Sequence, residues 1–291
     1  MFTSQNFTQN EKISLSQEIA EIGKQSTPLT SLLMSKGNVE QALSTIYNWR
    51  EKTLDNTENI SFTEGSVTDT FQKSVRKEYN NVLQIFKKAV EISGTAEKMA
   101  NGQFTQEVQD RLLEMKIQIE KTLINGLKDD GSSTGIRKMS GLIEFADTTN
   151  AVTETIEKTV DSVKKVARNL WDKDLAEGTL YVLIGADAKE VVDEHYKGSY
   201  SYQHTTTNFG ILVDSVNTNY GTLNFVLSKH IPADKVIVFN DAYVDLVTLR
   251  EAHFEPLAKV GDSERGQVVG EYTVKIASPK GLGVFTIKPT V

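Results

Sequence analysis

The chain has 291 residues, of which 38% are apolar and 24% charged, and its formal net charge is −7. This is the composition of a globular protein with one large or two moderate domains. The chain lacks cysteine, which excludes disulfides and thiolate metal sites. No apolar run reaches the ~18 residues of a membrane-spanning helix, and the polar N-terminus has no signal-peptide core.

Residues 1–27 are rich in Ser, Gln, Asn and Thr. Ile13, Leu15, Ile19 and Ile22 make only a weak helical face, so the stretch reads as an arm that stays loose or lies on another surface. Thr27-Pro28-Leu29 reads as a helix break, Leu29 to Met34 as a short apolar anchor, and Lys36-Gly37-Asn38 as a turn. Residues 43–54 read as an extended segment centred on Ile46, Tyr47 and Trp49. Residues 55–81 are polar with little periodicity, and residues 82–93 again read as a strand. Two strand-like segments around a polar stretch predict a two-stranded ribbon with a loose tip. Such a ribbon is barely stable alone, so it needs another surface, which a second copy of the chain could supply.

The strongest pattern follows. Phe104, Val108, Leu112, Met115, Ile119 and Leu123 recur at spacings of three or four, one face of a 3.6-residue period. Thr105 is placed to cap this helix and Gly126 to end it in the left-handed conformation. Residues 128–135 read as a flexible loop and 136–146 as a short apolar segment. A second helical pattern runs from Thr148 to Leu175. Strands are expected at Thr179–Ile184, Ile211–Val216, Gly221–Leu227, Lys235–Phe239, Tyr243–Leu249, Gly270–Ala277 and Gly283–Ile287, with a helix at Ala188–Tyr196 and a polar loop at 198–209. Strands and helices do not alternate regularly, which argues for an α+β fold rather than a doubly wound sheet.

Chemistry-bearing motifs are weak. Gly131-Ser132-Ser133-Thr134-Gly135 matches the letters of a nucleophile elbow, but a helix precedes it where a strand is needed. Neither phosphate-binding glycine motif is present. His195, His204, His230 and His253 are scattered without zinc-site spacing, and Asp129-Asp130 and Asp172-Lys173-Asp174 lack that of a calcium loop. The densest basic pairs, Lys87-Lys88 and Lys164-Lys165, are each two residues long. That argues against a direct grip on nucleic-acid phosphates, which needs a concentrated basic patch. Catalytic, cofactor-binding and metal residues are therefore expected to be none.

Taken together, several segments resemble the major capsid proteins of tailed bacteriophages, in the branch that includes podoviruses with elongated heads. They are Thr27-Pro28-Leu29-Thr30-Ser31-Leu32-Leu33, Tyr47-Asn48-Trp49, Thr63-Glu64-Gly65, the run from Leu83 to Thr95 and the long helix ending in Asn125-Gly126. The runs Leu249 to Ser263 and Val268 to Val274 are similar to that branch's closing motifs. The resemblance implies the capsid fold named after phage Hong Kong ninety-seven. It implies an N-terminal arm at 1–42, an extended β-ribbon loop at 43–94, and a peripheral domain from 95–129 and 241–291 with its spine helix at 104–126. An axial domain would occupy 130–240. It further implies a head protein that self-assembles through pentamers and hexamers into an icosahedral or elongated shell around double-stranded DNA. That shell would be assembled in the bacterial host cytoplasm and end in the virion.

The partners implied are other copies of the chain, then scaffolding, portal and decoration proteins, with the DNA met only indirectly and no membrane. Some relatives carry a fused scaffolding segment for which this chain has no room, so a separate scaffold or none is expected. The residues expected at contacts between copies are Tyr47, Trp49, Phe71, Lys73, Lys77, Lys87 and Lys88. The alternatives are a virion-associated decoration or binding protein, and an α+β enzyme without a recognisable motif.

Overall fold

The computed structural model describes residues 27–54, 61, 63–67, 71, 73–95, 103–197, 215–259 and 261–289. The weak helical face of the arm and the polar loop at 198–209 lie outside the described residues. The described chain is mixed α and β, built on two sheets and a ribbon.

Helix α1 (Pro28–Lys36) starts at the proline expected to break a helix. Proline suits the first helical position, where its missing N–H would have no intrahelical partner. Gly37, at φ 75°, ends the helix by donating its N–H toward Leu33 and Met34 carbonyls, a left-handed cap that favours glycine. Leu29 and Leu33 are fully buried, and strand β1 (Val39–Gln41) pairs parallel with β10 (Val244–Pro256). Residues 28–41 are thus built into the body, which corrects the expectation of an arm running to residue 42.

The ribbon is shorter than the expected 43–94. Strand β2 (Ile46–Thr53) pairs antiparallel with β3 (Val75–Val82), from Ile46 opposite Val82 to Thr53 opposite Val75. Strand β4 (Gln84–Ser93) instead forms one edge of a four-stranded sheet in the order β1-β10-β11-β4, beside β11 (Ser263–Ile276). The apolar side of β4 explains the choice: Phe86 and Val90 are buried in the main core. In β3 only Asn81 and Val82 are buried.

Helix α2 (Gln103–Asn125) packs on β4 and β11. Val108, Leu112, Met115, Ile119 and Leu123 are buried, and half-buried Phe104 meets Phe254 edge to face at 5.9 Å. Thr105 falls inside the helix, so it does not cap it. Gly126 is not left-handed. A Cβ there would stand 2.5 Å from the Met139 carbonyl oxygen, and the Gly141 N–H donates to the Gly126 oxygen at 2.8 Å. Close approach of two backbones, not backbone conformation, demands the glycine.

Glu120 ties α1 to α2. It is fully buried and accepts from the Leu29 and Thr30 amides at 2.9 and 2.8 Å and from the Thr30 hydroxyl at 2.5 Å. These are orphan donors of the first turn of α1, capped here by a side chain 90 residues away. Burial pushes the Glu120 carboxyl pKa above its usual value, against the pull of the Thr30 and Leu29 donors. Glu120→Ala strands those donors in the core, at about 1–3 kcal/mol per unsatisfied group. We expect a lowered urea midpoint, corresponding to about 3 kcal/mol or more for the three donors. An unchanged midpoint would mean that α1 does not depend on this cap.

The second sheet has six strands in the order β5-β12-β9-β6-β8-β7. These are β5 (Val152–Glu154), β6 (Thr179–Ile184), β7 (Ser215–Thr218), β8 (Gly221–Leu227), β9 (Lys235–Asn240) and β12 (Leu282–Ile287). Side-chain alternation divides its burial between two cores. Tyr181, Leu183, Ile237, Phe239 and Val284 face the core shared with α2 and the four-stranded sheet. Leu180, Val182, Ile184, Val236, Val238 and Phe285 face the other way, with residues of α4 (Thr159–Trp171) and α5 (Ala186–Lys197).

Helix α3 (Leu142–Phe145) occupies part of the expected apolar segment at 136–146. The helix expected from Thr148 begins only at Thr159. Before it, Val152–Glu154 pairs with β12, and the buried Asn150 side chain donates to the Lys280 and Leu282 carbonyls. Tertiary pairing overrides the local period there. Because β12 joins this sheet, residues 241–291 contribute strands to both sheets. Residues 211–214 of the expected Ile211–Val216 strand lie outside the described residues.

Candidate assembly surfaces

The ribbon presents two unlike ends. At its base, alternate residues turn toward the chain's own body. Trp49 is 8% exposed, and its indole N–H donates to the Ile276 carbonyl at 2.8 Å. Its ring lies 5.8 Å from Phe145 and 6.3 Å from Tyr79. The Tyr47 hydroxyl donates to Glu40, which also accepts from Lys275 at 2.6 Å. Lys275 stands 3.1 Å from Asp245 as well. Burial works against the Lys275 charge, but Glu40 and Asp245 outweigh it and raise its pKa. Glu51 accepts from the Ser278 hydroxyl at 2.8 Å and from Tyr79 at 3.1 Å. Buried Asn81 donates to the Val274 and Ser140 carbonyls.

These contacts revise the expected residues. Trp49 is enclosed by its own chain. Tyr47, half-buried and bonded to Glu40, is occupied at the base too. Lys87 and Lys88 lie on β4 rather than on the ribbon. Lys87 is exposed, and Lys88 pairs with Glu114 at 3.2 Å.

The far part of the ribbon is different. Leu54, Val67, Phe71 and Val75 are 65%, 86%, 83% and 67% exposed. Single exposed apolar residues are ordinary, but several on one two-stranded element make it a candidate surface for another molecule. Lys73 is exposed nearby, and Lys77 lies over the Tyr79 ring at 4.8 Å. The Tyr79 hydroxyl raises the Lys77 pKa. The sequence does not single out Val67 and Val75, because apolar residues without periodicity inside a polar stretch carry no face, nor Leu54, which ends the extended segment at 43–54.

Chemistry elsewhere is sparse. Gly131–Gly135 forms an exposed turn beyond the bridge between Asp129 and Lys138. Among the described residues no group of three or more acidic or histidine side chains is placed to hold a metal ion, and no helix is long and apolar enough to cross a membrane.

Solved structures share this architecture. The virus-like particle from Pyrococcus furiosus is 14% identical, with 94% of this chain and 96% of that chain covered at a TM-score of 0.53. The mature capsid of bacteriophage PhiM1 is 9% identical, covering 88% and 87% at 0.61. Mycobacterium phage Bobi gives 10% identity, 87% and 88% coverage, and 0.61. These likenesses establish the fold, that of tailed-phage capsid proteins of the Hong Kong ninety-seven type. No curated protein matches in sequence. The family model described as SU10 major capsid protein, however, matches residues 2–288. A two-sheet body, a ribbon whose apolar end is left uncovered and a family match over nearly the whole length lead to one conclusion: the chain belongs to the SU10 major capsid protein family and forms capsid shells.

Proposed function

We propose that copies of this chain join through pentamers and hexamers into a closed shell around double-stranded DNA, and that the ribbon is the main link between neighbours. The observation that carries this reading is the uncovered apolar end of the ribbon, Leu54, Val67, Phe71 and Val75, on an element whose base is bonded to its own body. In it, α2 and the four-stranded sheet form the peripheral part of the subunit, and the six-stranded sheet the axial part around the rotation axes. The N-terminal residues before Thr27 clasp a neighbour. Assembly takes place in the host cytoplasm, with scaffolding, portal and decoration proteins as further partners. The shell works through interface area, with no reaction to catalyse.

Sedimentation of the purified chain over a range of concentrations tests the proposal. Capsomers at low concentration giving way to shells or tubes at high concentration is the expected result. One small closed oligomer at every concentration would overturn it and favour an enzyme or a decoration protein.

A further inference from the structure

Two open cavities, of about 440 and 230 Å³, adjoin along the outer side of α2 and share Thr122 in their walls. The first is lined by Lys121, Asn125, Lys229 and His230, the second by Gln84, Lys87, Lys88 and Gln118 among others. Their described walls hold four lysines and no carboxylate, on a chain whose formal net charge is −7. Lys87, Lys121 and Lys229 are exposed and make no ion pair with any described residue. Only Lys88 is paired, with Glu114 at the rim. Some lysines elsewhere are paired, Lys158 and Lys165 with Glu154 and Lys189 with Asp193, and single unpaired ones such as Lys73 do not share a cavity wall with others. The sequence hides the strip, because its lysines come from β4, from α2 and from the turn after β8.

We propose that this strip binds the phosphate backbone of nucleic acid without reading sequence. Unpaired lysines with neutral amide and hydroxyl neighbours suit a phosphodiester chain, whose charges repeat along the groove. Release of condensed counterions drives such binding and makes it salt-dependent. One subunit meets few phosphates and binds weakly, and many copies in an array add their contacts. Contact with DNA enclosed in a shell would rest on the proposed assembly with the strip turned inward. Phosphate binding by a single subunit does not.

The test is fluorescence anisotropy of the unassembled full chain with a labelled 20-base-pair duplex, across ~50–200 mM salt. Three to four phosphate contacts predict a log–log salt slope of about −3. The triple variant Lys87→Gln, Lys121→Gln, Lys229→Gln should lose at least about tenfold in affinity and most of that slope. Lys121→Gln alone should reduce the slope by about one. The control Lys158→Gln, Lys165→Gln, on α4 and the segment before it, should bind as the parent does. Absence of salt-dependent binding in the parent overturns the proposal, as does a triple variant that keeps the slope or a control that loses it equally. A triple variant that binds duplex normally but no longer assembles would also overturn it, marking the strip as a contact between copies. The proposed shell fails separately, in sedimentation, whatever the duplex does.

Discussion

Ile119→Asp is expected to give an insoluble subunit. Ile119 is 5% exposed in the main core, among α2 residues Met115 and Leu123 and residues of both sheets. A carboxylate there has the buried carboxylate of Glu120 as its chain neighbour, which adds repulsion to the desolvation cost. That cost is several kcal/mol, against a marginal stability of ~5–15 kcal/mol for a whole domain. The milder Ile119→Val removes one methylene for about 0.5–1.5 kcal/mol and should stay soluble with a lowered denaturant midpoint. Solubility and partition on expression check the first, and urea unfolding the second. A soluble, assembly-competent aspartate variant would contradict burial of this stripe in a rigid core.

Shortening the ribbon should separate folding from assembly. Thr53 and Val75 are opposite partners in the ladder, so residues 54–74 can be replaced by Asn-Gly, which favours the tight turn of a two-residue hairpin. All the anchors at the base remain: Trp49 on Ile276, Asn81 on Val274, Glu51 on Ser278. The melting transition should therefore be unchanged, while Leu54, Val67 and Phe71 are lost with the tip. A specific interface of standard size buries ~1,600 Å², and a ribbon laid across a neighbour supplies a sizeable part of that. The expected outcome is a folded subunit that no longer forms stable shells. Unfolding of the shortened chain would place the tip in the subunit's own core, and shells of unchanged stability would make the ribbon an ornament.

What the sequence made legible depended on whether the information was local. The long helix could be read because its period repeats over about five turns, and the α+β class because strands and helices came in irregular order. The start of α1 was only half legible: Pro28 can open a helix as well as break one, and what completes this one is Glu120 from another helix. The ribbon's partner strand was misplaced for a related reason. Residues 75–82 carry Arg76, Lys77 and Glu78 and show no apolar side, whereas 82–93 read as a strand though neither face is cleanly apolar, and that strand serves the four-stranded sheet. Trp49 is expected at a neighbour from the sequence because it lies on the ribbon, which needs another surface. Its partner, the Ile276 carbonyl, is 227 residues away. The lysine strip was illegible on the same grounds, since Lys87, Lys121 and Lys229 converge only in three dimensions.

The central claim is that the uncovered end of the ribbon is the surface one copy offers to the next. Electron cryomicroscopy of particles assembled from the purified chain tests it most directly. The account predicts closed shells or tubes in which Leu54, Val67, Phe71 and Val75 of each subunit lie buried against a neighbour, while Trp49 stays on its own Ile276. Particles in which the ribbon end points into solvent, with neighbours joined elsewhere, would contradict it.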